Sequence, residues 1–269
     1  MGHVHAEGPR IQISGSSTYD DYVRAEWAMF EADPGRSLPA REVVRDAMGV
    51  RVLDIGCGAG QELRPFLSDS RSLGVGVDVS PEAGRAGRQL FAAEQPESRV
   101  GFARASAEHL PFEAGSFDVV ICRLALPYTD NARALQEMAR VLRPGGVLFL
   151  KFHHARYYLL KLREALFAGR VKSAIHACRV LLAGGVYHAT GSQPRGRLAG
   201  RETFQSRWLL ERELRNYGLQ IERTLNDSVP AAPSLLVRRD TTGGVPAREA
   251  PGLYRRGEGL RARAPDRAR

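Results

Sequence analysis

The stretch VLDIGCGAG, residues 52–60, has the residue types and spacing best suited to holding a ligand. Gly56, Gly58 and Gly60 alternate behind an apolar run that contains Asp54. Glycines there allow a tight turn that passes close to a ligand and begins the next helix beside it. The carboxylate of Asp54 favours a cationic ligand over a pyrophosphate. The stretch therefore predicts a site for a cationic ligand, with a tight turn that binds nothing as the alternative.

A second acid stands where the next strand is expected to end. Asp78 follows Gly60 by 18 residues and closes the apolar run LGVGVD. An acidic residue in this position of a nucleotide-binding α/β fold accepts hydrogen bonds from a ribose diol. The alternative is that Asp78 supports the N-terminus of the helix predicted after Ser80, where an acid is also favourable.

The elements that must hold these residues alternate between strands and helices. Strand patterns occur in VRVLDIG, SLGVGVDVS, RVGFARA, SFDVVICRLAL, VLFLKFH and SLLVRR. Helix patterns occur at 20–32 and 39–48 and in QELRPFLSDS, SPEAGRAGRQLFAAE and NARALQEMARVL. RPGG is a predicted turn, and ERELRNYGLQIERTL predicts a helix, a glycine stop and a further strand. This order indicates an α/β fold with a doubly wound, Rossmann-like sheet, mostly parallel with an antiparallel last strand.

Four segments resemble, in order and spacing, the class I S-adenosylmethionine-dependent methyltransferases. They are VLDIGCGAG, GVDVS, ASAEHLPFEAGSFDVVICRLAL and ARALQEMARVLRPGGVLFL. The resemblance runs from Val50 to Phe152, and the subgroup it resembles contains quinone-biosynthesis and small-molecule methyltransferases. Several ordered motifs are more specific than one. The resemblance implies an enzyme that uses S-adenosylmethionine as cofactor and releases S-adenosylhomocysteine.

The resemblance also implies a set of cofactor-binding residues. Asp54 is expected near the methionine amino group and Asp78 at the ribose hydroxyls. Ser106 stands where relatives frequently have an Asp that accepts from the adenine amino group, and a hydroxyl accepts that bond more weakly. Arg123, at the end of the fourth strand, is a candidate contact for the cofactor or an acidic acceptor. The full predicted set is Asp54, Gly56, Cys57, Gly58, Gly60, Asp78, Val79, Ser106, Ala107, Glu108 and Arg123.

Candidates for proton transfer follow the fifth predicted strand. Many relatives carry a His pair after the fourth strand, where this chain has Pro127 and Tyr128, so that role is not transferred. His153 and His154 stand at the carboxyl end of the fifth strand, which faces the ligand crevice of such a sheet. Because strand side chains alternate, at most one of them faces a substrate. The alternative is that both are loop histidines with no role in proton transfer.

Residues 155–200 form an insertion between the fifth strand and the helix before the sixth. Two amphipathic helices, broken at Ala168–Gly169, are predicted there. Three roles are open: a structural cap, a lid over the substrate, and peripheral contact with an anionic membrane surface. The residues predicted to share one apolar face are Leu159, Leu162, Ala165 and Leu166.

Composition is that of an ordinary globular protein, with 43% hydrophobic and 26% charged residues. The net charge of +9 is concentrated at 155–215, where twelve Lys and Arg stand against four Glu. No apolar window is long enough to span a membrane, and MGHVHAEGPR does not resemble a signal peptide. Cys57, Cys122 and Cys178 lack metal-ligand spacing, so no metal is predicted and a reduced, cytoplasmic location is expected.

We predict one methyltransferase domain at 19–239, between a flexible segment at 1–18 and a disordered Arg-, Pro- and Gly-rich tail at 240–269. The predicted function is methyl transfer to a small organic acceptor that is quinone-like, lipid-like or a secondary metabolite. The alternatives are an RNA or protein methyltransferase that docks through the basic insertion, and a non-catalytic cofactor-binding protein. Nucleic acid is not the expected partner because no RNA-binding module is recognisable. Neither the acceptor atom nor the oligomeric state follows from the sequence.

Overall fold

The computed structural model describes residues 19–32, 44, 48–194, 202–225 and 232–241. The predicted flexible segment at 1–18, nearly all of the predicted helix at 39–48 and the tail beyond 241 lie outside them. The strands are β1 Arg51–Ile55, β2 Leu73–Asp78, β3 Val100–Arg104, β4 Phe117–Arg123, β5 Leu142–Lys151, β6 Leu219–Leu225 and β7 Ser234–Arg239. The α-helices are α1 Tyr19–Ala32, α2 Pro81–Glu94, α3 Asn131–Val141, α4 Ala155–Phe167, α5 Val171–Thr190 and α6 Arg207–Arg215.

The seven strands form one sheet in the order β3-β2-β1-β4-β5-β7-β6. Strands β1 to β5 run parallel, and β7 is antiparallel to both of its neighbours, β5 and β6. The predicted doubly wound, Rossmann-like sheet with an antiparallel last strand is therefore confirmed. Strand order reverses between β1 and β4, and ligands of such sheets bind beyond the carboxyl ends of the strands at that point.

Strand β1 is buried on both faces of the sheet, and this burial holds its register. In β1, Val52, Leu53 and Ile55 are each at most 1% exposed. Val52 packs with Leu63 in the core on one side of the sheet, and Leu53 packs with Val120 in the core on the other. A parallel strand covered on both sides needs such a continuous apolar run. Each buried aliphatic side chain contributes roughly 1.5–3 kcal/mol, so the register that positions the following turn is strongly held.

Two local predictions differ from the structure. The predicted helix QELRPFLSDS is a short 3-10 helix, Gln61–Phe66, because Pro65 has no N–H with which to continue an α-helix. The predicted RPGG turn lies within β5, which begins at Leu142. Gly145 still adopts the positive φ expected of the turn, at 72°. The extra residues are accommodated by a register shift against β4 between Phe117 and Val119.

The insertion forms the helical hairpin α4–α5, which we define as residues 155–190. Its two helices break at the predicted place, where Gly169 has a φ of 62°. The predicted apolar face was right at Ala165, which is buried together with Tyr158, and wrong at Leu159 and Leu166, which are exposed. Among the described residues, no helix is long and apolar enough to cross a membrane.

Candidate functional site

The turn after β1 is hydrogen-bonded to the end of β2. The Gly56 N–H donates to the Val77 carbonyl at 2.8 Å. One carboxylate oxygen of Asp78 accepts from the Gly58 N–H at 3.1 Å, and the other accepts from the Ser80 N–H at 2.9 Å. Asp78 thus joins the loops that follow β1 and β2. The bond to Ser80, which caps α2, also gives Asp78 the helix-supporting role that the sequence left as an alternative.

The three glycines of this turn have different surroundings. All have positive φ angles, of 69° at Gly56, 53° at Gly58 and 79° at Gly60. A Cβ on Gly56 would lie 2.5 Å from the Ala125 Cβ, and a Cβ on Gly60 would lie 2.8 Å from the Phe102 ring. A Cβ on Gly58 would meet a single side-chain atom, at 3.9 Å. Packing within the protein explains two of the glycines, whereas Gly58 leaves space beside the backbone.

Two hydrogen-bond acceptors lie close to Gly58, namely Gln61 Oε1 beside the open space and the Asp78 carboxylate at the Gly58 N–H. The single nearby atom is Oε1 of Gln61, which is buried and has no donor among the described residues. Asp54 is 2% exposed. Burial, together with the charges on Asp54 and Asp78, raises the pKa of the Cys57 thiol well above its usual range, so both carboxylates act on this turn. These acceptors fit a ligand that brings hydrogen-bond donors and positive charge, and they do not fit an anion.

Cys57 and Val79, both in the predicted set, occupy opposite environments. Cys57 is buried, and its thiol donates to the Gly58 carbonyl at 3.4 Å. The Val79 side chain is 64% exposed, and its carbonyl accepts from Arg104 Nε at 2.9 Å. Cys57 therefore packs beneath the turn, and Val79 presents apolar surface next to Asp78.

The loop after β3 holds the residues predicted to lie near the adenine. The Ser106 hydroxyl donates to the Glu108 carboxylate, whose other oxygen accepts from the Asp130 N–H at 2.9 Å. Since the Ser106 proton is committed to Glu108, its oxygen can only accept from a ligand, as the predicted role requires. Ala107 belongs to the apolar core, in the same cluster as Leu110.

Arg123, a predicted ligand contact, forms an ion pair with Glu62. The distance from Arg123 Nε to Glu62 Oε1 is 3.3 Å, and the Glu62 side chain is 6% exposed. The pair joins the end of β4 to the 3-10 helix that follows the glycine turn. The next residue, Leu124, has a φ of 61°, and its N–H donates to the Lys151 carbonyl at 2.9 Å. A left-handed conformation is costly for leucine, and such residues collect at functional sites.

The two histidines after β5 have different environments. His153 is 8% exposed, and its ring stacks on Tyr157 with centroids 4.0 Å apart. His154 is exposed and caps α4, its Nδ1 accepting from the Arg156 N–H at 3.4 Å. Burial lowers the pKa of His153 to about 4, so this imidazole is neutral near pH 7. Burial also lowers the pKa of His154. Only His153 turns into the protein, although both histidines lie beyond the end of β5 at Lys151.

A hydrogen-bonded chain fixes the tautomer of His153. Tyr158 donates its one hydroxyl proton to Glu202 Oε1 at 2.7 Å. Toward His153 Nδ1, at 3.2 Å, the Tyr158 oxygen can therefore only accept, which places the imidazole proton on Nδ1. Burial and the bond to Glu202 raise the pKa of Tyr158, so the phenol keeps its proton. The second Glu202 oxygen pairs with His176 Nε2 at 3.0 Å. Nε2 of His153 consequently carries the lone pair.

Sequence reasoning missed several residues that complete this site. Gln61 and Glu62 follow the glycine turn directly, and that adjacency was the signal available for them. Glu202 lies 49 residues beyond His153, and no pattern connects the two. Only the fold places Glu202 against Tyr158 at the carboxyl side of β5.

Comparison with known proteins finds a methyltransferase-domain match over part of the chain. Residues 53–150 match the family model described as a methyltransferase domain. The chain is 39% identical over 106 residues to the uncharacterized methyltransferase YcgJ of Bacillus subtilis, a match covering 39% of this chain and 41% of that protein. It is 33% identical over 123 residues to the ubiquinone/menaquinone biosynthesis C-methyltransferase UbiE of Geotalea daltonii, covering 44% and 52%. The matched stretch thus spans about half of these relatives or less.

The fold is shared with solved methyltransferases. The magnesium protoporphyrin IX methyltransferase of Synechocystis, crystallised with bound S-adenosylhomocysteine, has a TM-score of 0.51 and 18% identity. That similarity covers 84% of this chain and 90% of the solved chain. The family match and the shared fold meet on the stretch that carries the glycine turn and both acidic strand ends. Residues 53–150 therefore match a methyltransferase domain, and the fold around them is the one that solved methyltransferases share.

Proposed function

We propose that the protein transfers a methyl group from S-adenosylmethionine to a small, largely apolar organic acceptor. The observation that carries this proposal is the open backbone at Gly58, in a turn that meets the acceptors of Asp78 and Gln61 where strand order reverses. The methyltransferase-domain match over 53–150 supports it, as do the names of the relatives.

The chemistry of the turn favours S-adenosylmethionine over a nicotinamide dinucleotide. Apart from its carboxylate, S-adenosylmethionine presents an ammonium, a sulfonium, ribose hydroxyls and an adenine amino group, which are cations or hydrogen-bond donors. Asp54, Asp78 and Gln61 supply acceptors for them. A pyrophosphate needs available N–H donors, whereas the Gly58 N–H is already bonded to Asp78.

Each part of the cofactor has a candidate partner on this chain. Asp54 would bind the methionine ammonium, and Asp78 would accept from the ribose hydroxyls with its remaining lone pairs. Val79 would lie against the adenine ring, and Ser106 would accept from the adenine amino group while Glu108 holds its hydroxyl. When bound, the cofactor supplies an electrophilic methyl group on a sulfonium. The protein's part is then to orient the acceptor and to accept its proton.

We assign the role of accepting that proton to His153. Its Nδ1–H is held by Tyr158, so its Nε2 lone pair is the basic site. With a pKa of about 4 the imidazole is neutral at physiological pH. It would accept a hydrogen bond from an O–H, N–H or C–H acid of the acceptor and would take up that proton. His154 has no equivalent part because it is exposed and caps α4.

The proposed acceptor is quinone-like, lipid-like or a secondary metabolite. The Geotalea relative is named for ubiquinone and menaquinone biosynthesis. A cytoplasmic location is part of the proposal, and the free thiols of Cys57, Cys122 and Cys178 are consistent with a reducing compartment. Nucleic acid is not a proposed partner.

Cofactor binding is tested by calorimetry with S-adenosylmethionine and S-adenosylhomocysteine. We expect Asp78→Ala to weaken binding by about 10- to 100-fold, the value of hydrogen bonds to a charged group. Glu113→Ala removes an exposed carboxylate from the loop after β3 and serves as the control. Binding of NAD in place of S-adenosylmethionine would overturn the cofactor assignment.

Methyl transfer is tested with labelled S-adenosylmethionine in extract of the organism that encodes the chain. The products are separated into solvent-extractable, aqueous small-molecule, protein and nucleic-acid fractions. Label in the solvent fraction that disappears with Asp78→Ala and falls strongly with His153→Phe supports the proposal. Label in the protein or nucleic-acid fraction refutes the small-molecule acceptor. Cofactor binding without label in any fraction supports a non-catalytic binding protein instead.

A further inference from the structure

Helix α5 exposes an apolar stripe along its whole length. Val171, Ile175, Leu182 and Val186 are 67%, 64%, 73% and 47% exposed. Their spacing of four, seven and four residues places them on one face of an α-helix, with exposed Cys178 on the same line. A helix on the surface of a globular protein normally shows polar residues on its outer face.

The stripe continues around the end of the hairpin. Leu166 and Phe167, the last residues of α4, are 66% and 87% exposed. They precede the Gly169 turn, and Phe167 stands four residues before Val171 in the chain. We call the exposed residues of the tip and the stripe together the apolar ridge. Contiguous exposed apolar surface of this kind marks an interaction site.

The opposite face of α5 is already used inside the protein. Ala174, Ala177, Ala183 and Tyr187 are buried, and Tyr187 donates a hydrogen bond to Glu213 of α6. The hairpin is therefore held by one face and presents the other outward. The outward ridge does not have to leave the protein core in order to bind something else.

Positive charge accompanies the ridge. Residues 155–190 contain six Lys and Arg against one Glu. That residue, Glu164, pairs with Lys161 at 3.3 Å. Arg163, Arg170 and Lys172 are exposed around the tip. A partner of this surface must combine an apolar layer with negative charge.

We infer that the α4–α5 hairpin docks on an anionic lipid surface. The apolar ridge would enter the boundary between headgroups and acyl chains, and the Lys and Arg side chains around the tip would contact anionic headgroups. A second copy of the chain is a poorer occupant, because facing ridges would bring two sets of these cations together. With 20 residues, α5 is about 30 Å long and would lie in the plane of the surface. The inference does not depend on methyl transfer.

Vesicle flotation of the full chain tests the inference. We expect binding to mixed phosphatidylcholine–phosphatidylglycerol vesicles, weaker binding at high salt, and little binding to phosphatidylcholine alone. Phe167→Asp and Ile175→Asp should each weaken partitioning by about tenfold or more, the value of one buried apolar side chain. The control Trp208→Asp changes an aromatic residue that is 60% exposed on α6, outside the hairpin, and should bind like the wild type.

Cys178 offers a direct readout, because Cys57 and Cys122 are buried whereas Cys178 is exposed on the stripe. An environment-sensitive fluorophore on Cys178 should shift to shorter wavelength when anionic vesicles are added. The inference is overturned if the wild type does not bind anionic vesicles, or if the two hairpin variants bind them as well as the wild type does. A dimer that Ile175→Asp separates, without vesicle binding, would assign the ridge to a second copy.

Discussion

Substituting Gly58 with alanine should separate cofactor binding from folding. An alanine there keeps a φ near 53°, which is costly for any residue with a side chain. That conformation costs about 1–2 kcal/mol. Among the described residues, the added methyl meets nothing closer than the Gln61 Oε1 atom at 3.9 Å, so no steric penalty arises from them. We therefore expect Gly58→Ala to fold, with a melting temperature lower by roughly 2–8 °C.

The effect on the cofactor should be larger and specific. If S-adenosylmethionine lies against this backbone, the methyl occupies its contact surface. Overpacking of this kind costs about 1–3 kcal/mol, which corresponds to a loss of affinity of about 5- to 150-fold. Calorimetric titration with S-adenosylhomocysteine measures this loss of affinity, and it needs no methyl acceptor.

Gly169→Ala is the matched control. Gly169 has a φ of 62°, and a Cβ on it would meet nothing within 4 Å. It lies at the hairpin turn between α4 and α5, so its substitution carries the same backbone cost away from the glycine turn. The reasoning is refuted if both variants lose the same affinity, or if Gly58→Ala binds S-adenosylhomocysteine as tightly as the wild type.

Two further predictions follow from packing and titration. Gly184→Ala should destabilise the protein by about 1–3 kcal/mol, because the added Cβ would approach the Phe204 ring. Gly185→Ala should instead stabilise α5 by about 0.5–1 kcal/mol, because among the described residues its Cβ would meet nothing within 4 Å. Thermal melts of the two variants check this prediction, and equal shifts in melting temperature would contradict it. Burial lowers the pKa of His153 from 6.5 to about 4, so the unfolded chain binds a proton first as pH falls, and stability present above pH 6.5 declines toward pH 4. The wild-type free energy of unfolding should therefore fall between pH 7 and about pH 4.5, and in His153→Phe this fall should be smaller by about 2–3 kcal/mol. Urea unfolding at both pH values measures the difference. If the free energy of unfolding falls equally in both proteins, His153 does not titrate in this way.

Much of the fold followed from local patterns. The parallel strands are buried on both faces, so each needs a continuous apolar run that is visible in the sequence, as in β1 and β2. The glycine turn and Asp78 were also visible, because a tight turn and an acidic strand end require particular residue types. The helix break at Ala168–Gly169 was predicted correctly for the same reason.

Local pattern was less informative where two segments meet. The RPGG stretch has turn residues, yet pairing with β4 draws it into β5. Leucines occur around α4, so the sequence alone did not show that Tyr158 would be buried beside Ala165 while Leu159 and Leu166 stay exposed.

The sequence by itself determined the order of strands and helices, the glycine turn and the acidic ends of β1 and β2. Only the tertiary structure decided which glycine stays open, because that depends on Ala125, which follows β4, approaching Gly56 and on Phe102 of β3 approaching Gly60. It also decided the tautomer of His153, which is set by a carboxylate far away in the chain. Covalent neighbours fix local conformation, whereas the space beside a backbone and the partner of a buried proton are properties of segments that meet only on folding.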